Sequence, residues 1–319
     1  NIRIFNELQR TITGWPGGKP GVDDSNRPER AEPARKNAIL FSPHPDDDVI
    51  SMGGTFIRLA DQGHNVHVAY QTSGNNAVWD DDARRFLEFA TDITKQLGDD
   101  TSKLENLYNE SNAYFAKKQP KEIDPEIIRK VKAYIRKGEA IAGSRFVGLP
   151  DENIHFQDLP FYDRQKFSKD VSFEDDIQQT MELMRQVKPH QVFAAGDFHD
   201  PHGTHKVCFD IILEALTRLR ATEEWAKDCW LWLYRGAWYE FPIHEIEMAV
   251  PLSPQEVKRK RLAIFKHQSQ KDLPVFPGDD PREFWVRAED RTTYTAGLYH
   301  QLGLADYEAI EAFVRWKFD

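Results

Sequence analysis

The sequence predicts an α/β fold, three layers (α/β/α) on a mostly parallel sheet. Three observations carry that prediction. Apolar runs of buried-strand length, residues 38–42 and 66–70, flank a stretch of helical periodicity. The whole strand–helix–strand repeat takes about 35 residues, as a βαβ unit with a right-handed crossover does. The alternation resumes downstream, with an apolar run at Gln191–Ala195 and a helical one at 207–219.

Taken in order, residues 1–36 read as an N-terminal arm or linker. Ile2, Ile4, Phe5 and Leu8 suit a short docking helix or strand, and Trp15-Pro16-Gly17-Gly18 is dense in turn formers. One domain is expected over 37–319. Its first strand is 38–42 and its first helix 49–62, closed by Gly63. Residues 79–130 are highly charged, with helical spacing at Phe86, Phe89, Ala90 and Ile93, which predicts a helical insertion. A framework helix follows through Ile127, Ile128, Val131 and Ile135. Ile154–Phe156 is a third strand, a helix ends over 181–187, and Gln191–Ala195 is a fourth strand. Trp230–Tyr234 and residues 237–241 look β-like. Ser253-Pro254-Gln255-Glu256 is a capping box with Pro at the first helical position, so a helix runs from there to about residue 267. Residues 307–316 read as a final amphipathic helix.

Of 319 residues, 40% are hydrophobic and 29% charged. That supplies a sizeable core and argues against disorder. No apolar run approaches the ~20 residues of a spanning helix, and no signal-peptide pattern opens the chain. A net charge of −10 argues against non-specific nucleic-acid binding. Cys208 and Cys229 make no disulfide framework and suit a reducing, cytoplasmic compartment. The first residue, Asn1, is not Met, which reads as a processed or excised piece.

Two clusters carry chemistry. Pro43-His44-Pro45-Asp46-Asp47-Asp48 falls where the first strand meets the first helix, and the ligand crevice of an open α/β sheet lies at such carboxyl ends. Acidic caps explain one Asp there, but neither three consecutive carboxylates nor His44. A divalent cation would relieve the repulsion. His44 and Asp47, three apart, can face one point, while Asp46 points elsewhere and stays free for proton transfer. The second cluster, Asp197-Phe198-His199-Asp200-Pro201-His202-Gly203-Thr204-His205, follows the fourth strand. It offers two ligand registers, His199/His202 and His202/His205. Two His and one carboxylate with an open position form a common catalytic zinc set.

These residues resemble the His-Pro-Asp-Asp motif of the zinc-dependent de-N-acetylases of the PIG-L or LmbE-like family, which remove acetyl from N-acetylglucosaminyl compounds. The likeness extends over most of 37–316. Gln71-Thr72-Ser73-Gly74-Asn75 looks like the family's loop after the second strand, and Arg136-Lys137-Gly138-Glu139 like its R-x-x-E helix. His202-Gly203-Thr204-His205-Lys206 looks like its His-x-x-His motif, and Lys266-His267-Gln268-Ser269-Gln270 like a late helix ending. More narrowly, the chain resembles the de-N-acetylase-like half that follows a glucosamine-6-phosphate deaminase domain in some bacterial proteins, with residues 6–18 as the joint.

The resemblance implies a Rossmann-like LmbE-type deacetylase fold and a metal, Zn²⁺ or another divalent transition ion, on His44, Asp47 and His205. Asp46 would be the general base, and His202 would stabilise the oxyanion or protonate the amine. Asn75, Arg136, Glu139 and Asp200 would bind substrate or support the ligands. Asp48 stands where the family has Glu. Gly203-Thr204 replaces a Pro-Asp pair, leaving Asp197 or Asp200 to orient an imidazole. The implied partner is a small amino sugar, with no nucleic acid and no membrane; an N-terminal deaminase domain and an association of identical chains are left open. From the residues alone, Arg136 and Glu139 also suit a solvated helix pair, Lys258-Arg259-Lys260-Arg261 a solvated face, and Cys208 the core. The rival functions are a non-catalytic lobe of a longer deaminase chain and a metal phosphoesterase.

Overall fold

A computed structural model describes residues 2–18, 35–119, 122–164, 173–198, 203–236, 239–272, 275 and 280–318. After an N-terminal helix α1 (Ile2–Thr11), strand β1 (Asn37–Ser42) leads into α2 (Asp47–Asp61) and β2 (Asn65–Tyr70). Helices α3 (Asp80–Leu97), α4 (Ser102–Phe115) and α5 (Glu126–Val147) precede β3 (Ile154–Phe156), α6 (Pro160–Arg164), α7 (Glu174–Val187) and β4 (Gln191–Ala195). Then come α8 (Thr204–Thr222), α9 (Glu224–Lys227), β5 (Trp230–Tyr234), β6 (Met248–Leu252), α10 (Pro254–Ile264), α11 (Gln268–Lys271), α12 (Phe284–Gln301) and β7 (Ala309–Trp316).

The strands form one sheet in the order β3-β2-β1-β4-β5-β7-β6. The first five are parallel, and β7 runs antiparallel to both β5 and β6. Period-2 alternation divides the core into two layers. Leu40, Val68 and Phe193 face Val49 and Phe56 of α2, while Ile39, Phe41 and Val192 face Met184 of α7 and Phe209 of α8. β1 lies between β2 and β4, so the winding reverses at β1/β4, the switch point where ligands bind in open α/β sheets.

The structure corrects several expectations. Residues 307–316 are not a helix; Ala309–Trp316 is β7, hydrogen-bonded on both edges. Ile310 and Ala312 face one core layer and Ala309 and Phe313 the other, so both faces are apolar and strict alternation disappears. Its charged residue, Glu311, is buried: it accepts Lys260 Nζ at 2.8 Å and the amides of Gly54 and Thr55 at 2.9 and 2.6 Å. Lys260 is therefore no part of a solvated face. Its neighbour Arg259 pairs with Asp61, and Arg261 with Glu289. Of the β-like 237–241, residues 237 and 238 lie outside the described set, and 239–241 form no strand. β6 and α12 were not expected from the sequence.

α1 docks through Leu8 and Phe5, while Ile2 and Ile4, which the apolar spacing also placed on the docking side, are exposed. Leu8 is buried in the core, Thr11 Oγ1 meets Tyr299 Oη at 2.8 Å, and Thr13 N donates to Ala249 O on the sheet's edge strand β6 at 2.9 Å. α3 and α4 pack on each other and α3 on α5; the packed face of α3 carries Ala83 and Leu87, whereas Phe86, Phe89 and Ile93, whose spacing marked the helix, are exposed. The capping box at Ser253 and Glu256 is formed. Among the described residues no helix is long and apolar enough to cross a membrane.

Candidate metal centre

The turn from β1 into α2 is shaped by its own side chains. Ser42 Oγ donates to His44 O at 2.6 Å and accepts the Asp48 amide at 3.1 Å, which folds the chain back on itself. Asp47 Oδ2 accepts the His44 amide at 2.8 Å. The helix N-terminus favours one negative group, and the other Asp side chains are accommodated by the partners each one meets. Each is buried, and each has a different partner.

Asp47 faces two imidazoles. Its Oδ2 lies 3.1 Å from His44 Nδ1 and 3.2 Å from His205 Nε2. Burial would raise its pKa, but His205 and His44 hold the carboxyl well below the usual range. The His44 and His205 rings sit 5.3 Å apart, tilted by 44°. His205 arrives from the first turn of α8, beyond β4, so the site joins the two strands that flank the switch point. Ligand atoms of His44, Asp47 and His205 all lie within 4.8 Å of one another. This two-imidazole, one-carboxylate set fits a catalytic divalent ion with an open position.

Asp46 turns away from that group, as the spacing predicts, but is not left alone. Its Oδ1 accepts Arg136 Nη2 at 2.9 Å, with both side chains buried. Burial pushes the Asp46 pKa up, and the guanidinium opposes this. Asp48 turns inward: Tyr70 Oη donates to its Oδ2 at 3.1 Å, and burial raises its pKa to about 7. Glu139 accepts the amide of Ser269 and its hydroxyl, both at 2.7 Å, so the R-x-x-E pair is no solvated helix pair. One turn of α5 thus reaches the β1 turn through Arg136 and α11 through Glu139.

Loop 71–77 rims the site. Gly74 sits at φ 62°, where a Cβ would stand 2.8 Å from Pro45 Cδ and 3.3 Å from Arg136 Nε. Only glycine lets this loop close over the Asp46–Arg136 pair. Asn75 is buried and bonds Ser73 Oγ at 2.9 Å. Asp197 accepts the Tyr239 amide at 3.1 Å. His199, Asp200 and His202 lie outside the described residues, and with them both the catalytic role expected of His202 and the alternative register; His205 is the histidine of that cluster found beside Asp47. Cys208 is buried core. Sequence reasoning missed Tyr162, whose ring meets His44 edge-on at 6.4 Å. It comes from α6, far along the chain, and no local motif marks it.

The family model described as GlcNAc-PI de-N-acetylase (PIG-L) matches residues 39–216, a span that includes His44, Asp47 and His205. A glucosamine-6-phosphate deaminase-like protein of Bacteroides thetaiotaomicron is 50% identical over 99% of this chain; the chain spans about half (48%) of that protein's length. Among solved structures, N,N'-diacetylchitobiose deacetylase from Pyrococcus horikoshii has a TM-score of 0.55 at 18% identity, with 89% of this chain and 84% of that one covered. The 4-carboxy-2-hydroxymuconate hydratase GalB of Pseudomonas putida KT2440 has a TM-score of 0.52 at 16% identity, with 89% and 97% covered. At such identities the two structures share the fold, and their different reactions show that the fold alone does not set the chemistry.

Proposed function

The chain belongs to the PIG-L family of de-N-acetylases, and on that footing we propose that it is a metal-dependent amidohydrolase removing the acetyl group from an N-acetylglucosamine-type amino sugar. His44, Asp47 and His205 would hold the ion, zinc in the first instance. The convergence of their ligand atoms within 4.8 Å, beside the buried Asp46–Arg136 pair, carries the proposal. When bound, such an ion would polarise the acyl oxygen and lower the pKa of a water toward ~7.

The protein's own groups do the proton work. Arg136 holds one oxygen of Asp46 and favours its ionised form against burial. The second oxygen then takes a proton from water as that water attacks the acyl carbon, and returns it to the nitrogen as the C–N bond breaks. Acetate and the free amine leave. His202 keeps the role the resemblance implies, a donor to the oxyanion. Glu139, through Ser269, keeps α5 in place so that Arg136 meets Asp46.

The test is metal content by mass spectrometry together with acetate release from N-acetylglucosamine derivatives. About one zinc per chain with acetate release supports the proposal. A protein that stays metal-free and inactive after incubation with zinc overturns it. That result would favour the second reading, a non-catalytic lobe within a longer chain, which the twofold length and the name of the Bacteroides relative suggest. Turnover of phosphate esters without acetate release would point to a phosphoesterase.

A further inference from the structure

Beside the metal centre lies a cavity of about 360 Å³. Ligand pockets run from ~300 to 1,000 Å³, so this one takes a single sugar ring with a substituent, not a long glycan. It borders the centre, although His44, Asp47 and His205 do not themselves line it. Pro45, between His44 and Asp46, lines it, as does Tyr162, the ring set against His44. Its other wall is a stripe of α5 in which Glu126, Lys130 and Lys137 recur at helical spacing.

The two lysines differ. Lys130 Nζ pairs with Glu126 at 2.6 Å. Lys137 pairs with no carboxylate among the described residues; its ammonium lies 4.7 Å from the centre of the Phe156 ring, which also lines the cavity. An aromatic face holds a cation in place without neutralising it. Arg129 and Asp158 line the cavity as well, so its wall carries Arg129, Lys130 and Lys137 against Glu126 and Asp158, and in a chain of net charge −10 this net positive wall, with the Lys137 ammonium on it, draws negative charge to that spot.

We propose that this cavity is the subsite for an anionic substituent of the amino sugar. The substrate, a monosaccharide with one phosphate or carboxylate group, would set that group against Lys137 and its acetamide at the His44–Asp47–His205 centre. This presupposes the deacetylase function proposed above.

The experiment compares N-acetylglucosamine, its 6-phosphate and N-acetylmuramic acid on zinc-loaded protein, by kcat/KM and by calorimetric binding. An anionic sugar should exceed the neutral one by about tenfold or more, the order of one charge-assisted hydrogen bond. Lys137→Met should remove that advantage and leave the neutral sugar within about twofold, and Lys137→Arg should restore most of it. The advantage should shrink as salt rises. Whichever anionic sugar prevails identifies the group as phosphate or carboxylate. Equal handling of neutral and anionic sugars, or an advantage that survives Lys137→Met, overturns the proposal while the deacetylase function stands. If no sugar releases acetate, that function fails, and calorimetry still decides: binding of an anionic sugar weakened about tenfold by Lys137→Met supports the subsite, and no binding or unchanged binding overturns it.

Discussion

Asp46 and Asp47 are neighbours in the chain with opposite surroundings. Asp47 faces two imidazoles, and Asp46 faces a guanidinium. Replacing Asp46 with Asn should therefore lower kcat by ~10²–10⁴ and leave metal bound. Asp47→Ala should empty the centre, and equal metal content in the two variants would contradict the division of labour. Arg136→Met is a separate test. Arg136 lowers the Asp46 pKa, so its loss should raise that pKa and shift the acid limb of the kcat/KM profile to higher pH. A limb that stays in place would show that Arg136 does not tune this carboxyl. The His44–Asp47 spacing and the place of Asp46 could be read from sequence because a strand end and a three-residue step are local signals; His205 was reached only through the family resemblance, since its contact with Asp47 spans 158 residues. The partner of Glu139 could not be read, since Ser269 lies 130 residues away.

At the scale of elements, the charge run on α10 and the strand β7 are one problem. Lys260 looked solvated and 307–316 looked helical because local pattern takes a charge to mark the outside of the molecule. Here Glu311 and Lys260 are both charged and both inside, joined to each other and to amides of α2. Breaking a buried pair leaves an uncompensated charge, so Lys260→Met should cost ~3–5 kcal/mol. Loss of the exposed cap in Ser253→Ala should cost only ~1 kcal/mol. Denaturant unfolding of the two variants measures both values; similar costs would mean that the Lys260–Glu311 pair is not desolvated as the structure has it.

For the whole molecule, a buried acid couples folding to pH. The carboxylate oxygens of Glu240 are buried and accept no hydrogen bond among the described residues. Burial pushes its pKa from 4.5 to about 8 against the pull of Lys260, Arg291 and Arg235. Below the unfolded value both states are protonated. Between that value and about 8 the unfolded chain gives up the proton and the folded one keeps it, so stability falls as pH rises through this window. Glu240→Gln should match the wild-type Tm near pH 5 and exceed it near pH 8. A Tm difference independent of pH would rule this linkage out.

The sequence by itself determined the βαβ frame, the parallel strands β1 to β5, the placement of the two His/Asp clusters at strand ends, and the family to which they belong. Each depends on periodicity or spacing within a few tens of residues, which the backbone expresses locally. Tertiary structure decided that His44, Asp47 and His205 meet, that Arg136 leans on Asp46, that β7 is a strand between β5 and β6, and that Lys137 is left facing a cavity. Those outcomes turn on which distant group arrives to satisfy a buried charge or a backbone edge, and such partners are set by packing across the sheet.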